Sequence, residues 1–218
     1  MVKYGMNSNH HAFGGKEYLG LPLVSGNGEF IEEYLGVLHG VMWKALNQYT
    51  RVFAFRFDLH LIEGVDADAS TASNAVVTRF FQSLKAKIRH NRCCALSRNG
   101  NAHNTVVRYF WVREVGDFGR VHYHCVVLLN ANAFNWMGSY YSLGENMANR
   151  VWGAWASALE EPIENVKSSV HFPENPAYVI HRNNHKSIRE FFHRVSYLCK
   201  CRTKQFGYGH HGCGYSRV

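Results

Sequence analysis

The sequence predicts an α+β domain with a central antiparallel β-sheet and helices packed mainly on one of its faces. Three observations lead there. The hydrophobic periods run helix, strand, helix, hairpin, helix, strand, helix along the chain, and strands joined by a tight hairpin are antiparallel. Residues 51–62 alternate apolar and polar side chains, the pattern of a strand covered on one side. Apolar residues make up 46% and charged residues 18% of 218, a globular balance in a length that suits one well-buried domain and is short for two.

The elements follow in order. The first 27 residues are rich in Gly, Asn and His with little periodicity and read as an irregular arm. Residues 29–49 place Phe30, Ile31, Tyr34, Leu35, Leu38, Met42 and Leu46 at spacings of three and four, an amphipathic helix. Arm and helix, residues 1–50, are expected to belong to the same globule as the main domain, residues 51–218. In "RVFAFRFDLHLI" (51–62) Phe53, Phe55, Phe57, Leu59 and Leu61 share one strand face, and Arg56, Asp58 and His60 the other. Residues 66–92 open with Asp and Ser cap candidates, continue through Val76, Val77, Phe80, Phe81, Leu84 and Ile88, and end in a basic turn, so a second helix is expected. Two apolar runs, 105–115 and 120–130, flank "GDFG" and read as a hairpin. Residues 144–160 are helical in pattern, "NVKSSVHFP" (165–173) reads as a short strand, and "SIREFFHRVSYLCKCRTK" (187–204) as a last helix.

Lys and Arg outnumber Asp and Glu by 24 to 16, a net charge of +8 with neutral histidine, which favours a polyanionic partner such as nucleic acid. No apolar run approaches the roughly 20 residues that span a bilayer. The start lacks the basic-then-apolar order of a secretory signal. The expected compartment is therefore the cytosol, with no membrane partner, where six cysteines need not form disulfides.

One strand carries an anomaly. In "VHYHCVVLLN", His122 and His124 project from one face and Val121, Tyr123, Cys125 and Val127 from the other. Two imidazoles about 7 Å apart along a strand can converge on one ion. A hairpin loop centred on Phe118 pairs Val115 with Val121, Val112 with His124 and Glu114 with His122, so a carboxylate stands across from the first imidazole. A one-residue slip would turn Glu114 away. Glu114, His122 and His124 together suit a divalent metal, and mixed nitrogen and oxygen donors are compatible with Mn²⁺ or Mg²⁺ as well as zinc. A hydrogen-bonded Glu–His pair without an ion is the bland alternative.

In "RVSYLCKCRTK", Tyr197 and Lys200 stand three apart and would share a helix face, with Arg194 three residues before on the same stripe. A phenol of pKa near 10 is a poor nucleophile unless metal, Lys or Arg charge stabilises the phenolate and the phosphate under attack. The tail offers Cys199, Cys201, His210, His211 and Cys213, but not at the spacing of a standard zinc finger. Tyr215, a rival nucleophile, lacks a helical lysine at the right offset and reads as structural or as a base-stacking contact, and Arg56, Asp58 and His60 share the sheet face of the histidines if their strand neighbours the hairpin.

These motifs resemble a known family. "VHYHCVVLLN" is similar to the His-hydrophobic-His signature of the HUH endonucleases, and "YLCK" to their nucleophile motif. The resemblance is closer still to the rolling-circle replication initiators of filamentous phages (inoviruses) and their prophage relatives, through "WVRE", "HYH" followed by an apolar run and Asn, "AW", "YL-K" and a terminal "G-SR", in order from about Phe53 to Arg217. The resemblance implies an RRM-like fold and metal-dependent, site-specific nicking and joining of single-stranded or hairpin DNA at a replication origin. His122, His124 and Glu114 would hold Mn²⁺ or Mg²⁺, Tyr197 would become 5′-phosphotyrosyl, and Lys200 would be its charged neighbour. It implies work in the cytoplasm of a bacterial host with that host's polymerase, and with its helicase, because the chain carries no Walker-type "GxxxxGK[ST]" run. Alternatives are a non-catalytic, basic, RRM-like nucleic-acid-binding module, and a transposase or relaxase using the same chemistry.

Overall fold

The computed structural model describes residues 9–26, 28–62, 73–116, 119–141, 144–206 and 209–218. Short ribbons come first: β1 (Ala12–Phe13), β2 (Glu17–Tyr18), β3 (Leu21–Pro22) and β4 (Phe30–Ile31), with β1 paired to β4 and β2 to β3. The segment expected as an irregular arm is thus partly ordered in pairs, too short to leave a periodic signal. Then follow α1 (Glu32–Gln48), β5 (Arg51–His60), α2 (Ala75–Arg98), β6 (Arg108–Val115), β7 (Val121–Asn130), α3 (Met147–Leu159), α4 (Ile163–Val166), β8 (Val170–His171), β9 (Ala177–His181), α5 (His185–Ser196) and β10 (Cys213–Tyr215).

The main sheet has the order β10-β6-β7-β5-β8, with β9 also on the outer edge of β5, and its recorded pairings are all antiparallel. Hairpin β6–β7 has the register expected from sequence, Val115 opposite Val121, Glu114 opposite His122 and Val112 opposite His124. Phe118, the loop's expected centre, lies outside the described residues. Strand β5 lies on the other side of β7, setting Asp58 opposite His124 and His60 opposite His122.

Helices cover both sheet faces, which corrects the expectation of one covered face. Phe53, Phe55, Phe57 and Leu59 of β5 and Tyr123, Cys125 and Val127 of β7 pack against α2 and α3. On the reverse face Val52, Ala54, Phe110, Val112, Val126 and Leu128 are also apolar and are buried by Leu35, Leu38 and Met42 of α1 and Ile188, Phe191 and Val195 of α5. Apolar area on both faces has to be hidden from water, at roughly 25 cal/mol per Å². The polar alternation in β5 holds only from Arg56 to His60, and that half marks the one end of the reverse face where charged side chains gather.

Other elements differ from the sequence reading. Helix α2 runs six residues past Arg92, and the Asp66, Asp68 and Ser70 cap candidates lie outside the described residues; the amide of Ala75 instead donates to Ser73 Oγ at 3.1 Å. Most of "NVKSSVHFP" is helical turn, leaving two strand residues. Strand β9 went unread because "AYVIH" follows two prolines and is short. Helix α5 ends at Ser196, giving way to a 3₁₀ turn over Tyr197–Cys199, rather than continuing to Lys204. The chain then turns extended at Lys200, which bridges to Phe30, and the Cys201 amide donates to Glu29 O at 2.9 Å. Among the described residues no helix is long and apolar enough to cross a membrane.

Candidate metal and tyrosine centre

Two neighbouring strands bring the candidate ligating side chains to one face. Glu114, His122 and His124 each offer a donor atom within 4.8 Å of the others. Among the described residues no other group of three or more His, Cys, Asp or Glu gathers so closely, so Cys199, Cys201, His210, His211 and Cys213 of the tail form no such cluster. Glu114 Oε2 lies 3.3 Å from His124 Nε2 and 3.8 Å from His122 Nε2, a nitrogen–nitrogen–oxygen set that fits a divalent cation.

The surroundings fix how each ligand points. Asp58, on β5 opposite His124, accepts a 2.5 Å hydrogen bond from His124 Nδ1, which directs Nε2 toward Glu114. Asp58 is itself flanked by His171 Nδ1 at 3.3 Å and Arg56 Nη2 at 3.7 Å. The ring of His60 stacks on His122 at 5.2 Å between centroids and 11° between planes, holding that imidazole flat. Behind the strand, Trp155 Nε1 donates to His60 O at 3.3 Å and to Ser169 Oγ at 3.0 Å, so the Trp of "AW" anchors the end of β5.

Lys204 pairs with Glu114 Oε1 from a fully buried position and leaves Oε2 to face the imidazoles. Sequence reasoning did not single it out. It follows the helix break in a turn without period, where nothing in composition marks a lysine as buried. Lys200 Nζ, also buried, lies 3.8 Å from Glu114 Oε2. Burial alone would raise the Glu114 carboxyl, but the hydrogen bond with His124 and the charge of Lys204 outweigh it and hold the group well below the usual carboxylate range. Asp58 behaves alike: burial opposes ionisation, and the His124 bond and Arg56 bring its pKa down to about 2. Burial, with the charge of His124, lowers His122 to about 4, so it is neutral at pH 7. For His124 burial favours the neutral form, yet its bonds to Asp58 and Glu114 dominate and its pKa is raised.

Tyr197 is half-buried beside this cluster. Its ring meets His124 edge-on at 6.1 Å, Lys200 Nζ sits 3.5 Å from the ring centroid, and the Arg56 guanidinium carbon lies 5.2 Å from it. The tyrosine and lysine thus meet although they occupy a 3₁₀ turn and its exit instead of a regular helix face. Arg194, still in the regular part of α5, does not join them and donates instead to the carbonyl of Glu174 at 3.4 Å; Arg56 of β5 stands in that place. Tyr215 pairs opposite Phe110 on the far edge strand, away from the cluster. Ser216 Oγ accepts the Tyr109 amide at 3.1 Å, so the terminal "G-SR" tethers the tail.

A family model described as "YagK/YfjJ C-terminal domain" matches residues 15–216, a span that takes in every residue of the cluster. The chain is 29% identical over 200 residues to the uncharacterized protein YagK of Escherichia coli K12, covering 88% of this chain and 96% of that one. It is 28% identical over 202 residues to the uncharacterized protein YfjJ of the same organism, covering 87% and 96%. Both alignments therefore run nearly end to end. No solved structure matches the chain.

Proposed function

The chain belongs to the YagK/YfjJ C-terminal domain family, and from that premise and the geometry of the centre we propose a metal-dependent endonuclease of the HUH type. On this reading it nicks and rejoins single-stranded DNA through a 5′-phosphotyrosine and so initiates rolling-circle replication of a phage or prophage-like element. The observation that carries it is that Tyr197 meets His124 of the Glu114, His122 and His124 group, although the tyrosine lies more than seventy residues further along the chain. The path β5–α2–β6–β7–α3–β8 supports it as well, since a βαββαβ order on an antiparallel sheet is that of ferredoxin-like and RRM-like folds.

Glu114, His122 and His124 would hold Mn²⁺ or Mg²⁺, which when bound supplies Lewis-acid polarisation of a phosphate oxygen. The chain's own groups do the rest. Asp58 fixes the His124 ring, and Lys204 fixes the Glu114 carboxylate. Lys200 and Arg56 place positive charge against the Tyr197 ring, where it would offset the charge of the phosphate under attack. The Tyr197 oxygen forms a bond to the scissile phosphorus as the bond to the 3′ oxygen breaks. The phenolic proton passes to solvent and the departing 3′ oxygen takes one up. The free 3′-OH can prime synthesis by the host polymerase, with strand separation left to a host helicase, and the phosphotyrosyl ester conserves the energy for rejoining.

The test is incubation with end-labelled single-stranded DNA from the chain's own replicon, with and without manganese. A denaturation-resistant protein–DNA adduct is expected with manganese. Tyr197→Phe should bind the same DNA and form none. An adduct that survives in the Phe variant would refute the assignment, and so would one undiminished in H122A/H124A.

A further inference from the structure

On the side of the sheet covered by α2 and α3, three concavities adjoin one another. The first, about 390 Å³, lies between those helices and is lined by Lys87, His90, Arg150 and Lys167, with Glu145 and Glu164 on its wall. The second shares Glu145, Asn146 and Arg150 with it and adds Arg92, Phe134 and Trp136. The third shares Asn135 and Trp136 with the second and adds Tyr140, Pro176 and Tyr178. Shared lining residues set the three in a row, an interrupted groove that is cationic at one end and aromatic at the other.

The aromatic end is open to solvent, with Trp136 67% and Tyr140 38% exposed. Cations stand against a ring in the middle of the groove: the guanidinium carbons of Arg92 and Arg150 lie 4.3 and 5.6 Å from the Phe134 centroid. Glu145 is engaged by Arg150 at 3.1 Å, so that pair largely cancels and leaves Lys87, Arg92 and Lys167 as the charge the groove presents, with exposed Glu164 opposing them. A strand of nucleotides needs this combination of faces on which bases stack and nearby cations for phosphates. An apolar partner helix would have no use for the cations.

The groove and the metal centre lie on opposite faces of the sheet, and the β8–β9 edge of the sheet is where the two faces come nearest. Tyr140 meets Phe172 at 5.1 Å, and the preceding residue, His171, contacts Asp58. The carbonyl of Pro176 accepts the amide of Arg56 at 2.8 Å. We propose that this groove is the track for single-stranded DNA flanking the cut site, with bases stacked on Trp136 and Tyr140 and phosphates met by Lys87, Arg92 and Lys167. The proposal deepens the nicking reading, on which it rests only for the identity of the strand.

The experiment uses the full chain in chelator, so that no cutting occurs, with fluorescein-labelled oligo(dT) followed by anisotropy and by tryptophan quenching. Oligo(dT) is expected to quench Trp136, W136A should bind roughly 5- to 150-fold more weakly, the range for losing one stacked base, and W136A/Y140A more weakly still. R92Q/K167Q should lower the salt dependence of log affinity by about 1.4, or about 0.7 per lost phosphate contact on a single strand. Y215A, an exposed ring outside the groove, serves as the control and should bind normally. Wild-type affinity in W136A/Y140A with its melting temperature kept would overturn the proposal, as would stronger binding of a poly-glutamate peptide or of RNA than of DNA at the same groove. Adduct formation at Tyr197 is read separately. A normal groove with no adduct on any DNA removes the nicking reading and leaves the track, and the opposite pattern does the reverse.

Discussion

His124 has to serve two carboxylates at once, and its titration follows from that. Asp58 and Glu114 stabilise its charged form, whereas binding a cation through Nε2 needs the neutral one. Affinity for Mn²⁺ should therefore rise about tenfold per pH unit below the raised His124 pKa and flatten above it. Asp58→Asn removes one of the raising contacts, so the plateau should begin at lower pH, while looser aim of the ring costs roughly 10- to 100-fold in affinity on that plateau. Titration calorimetry across pH reads both, and an unchanged plateau would show that Asp58 does not govern the proton. Lys204 yields a second prediction. Removing one member of a buried ion pair leaves the other uncompensated, so Lys204→Met should cost about 3 kcal/mol in chelator, measured by urea unfolding. The E114Q/K204M double variant should lose much less than the sum of the two single variants. At this scale the sequence disclosed the strand histidines and their facing carboxylate, because alternation in a hairpin is a local property. Lys204 was not legible as a partner, since the path of the chain after Ser196 brings it in, and Arg56 was legible only on the condition, met here, that β5 neighbours β7.

Among the elements, the last helix departs most from its periodic signal. Its apolar stripe, Ile188, Phe191, Phe192 and Val195, is satisfied against α1 and the sheet by Ser196, and beyond that point the chain gains more by docking on Phe30 than by another helical turn. Periodicity cannot reveal this, because Leu198 and Cys199 are apolar and would continue a helix equally well. Phe30 is 3% exposed, so Phe30→Ala should cost about 3–5 kcal/mol. It should also unseat the turn that carries Tyr197 and Lys200, lowering adduct yield while Mn²⁺ affinity, which depends on β6 and β7, changes little. Equal loss of both would mean that the turn and the metal ligands are not separable. The polar half of β5 was readable and placed the site at one end of its strand, but reading the whole strand as one-sided concealed the helices on the reverse face.

Across the whole molecule, two apolar cores share one sheet, with Phe57 in the first and Phe191 in the second. Strands β5 and β7 contribute to both, so neither core can come apart without stripping the other. Phe57→Ala and Phe191→Ala should each lower a single, coincident unfolding transition by about 10 °C, read by near-ultraviolet and far-ultraviolet dichroism together. Two separate transitions would show independent halves. The order of these parts along the chain has one more consequence. During translation the β6–β7 hairpin leaves the ribosome long before the Tyr197 turn that settles on Phe30. A nascent or prematurely terminated polypeptide therefore carries Glu114, His122 and His124 without Tyr197, and on the nicking proposal such a fragment would form no adduct.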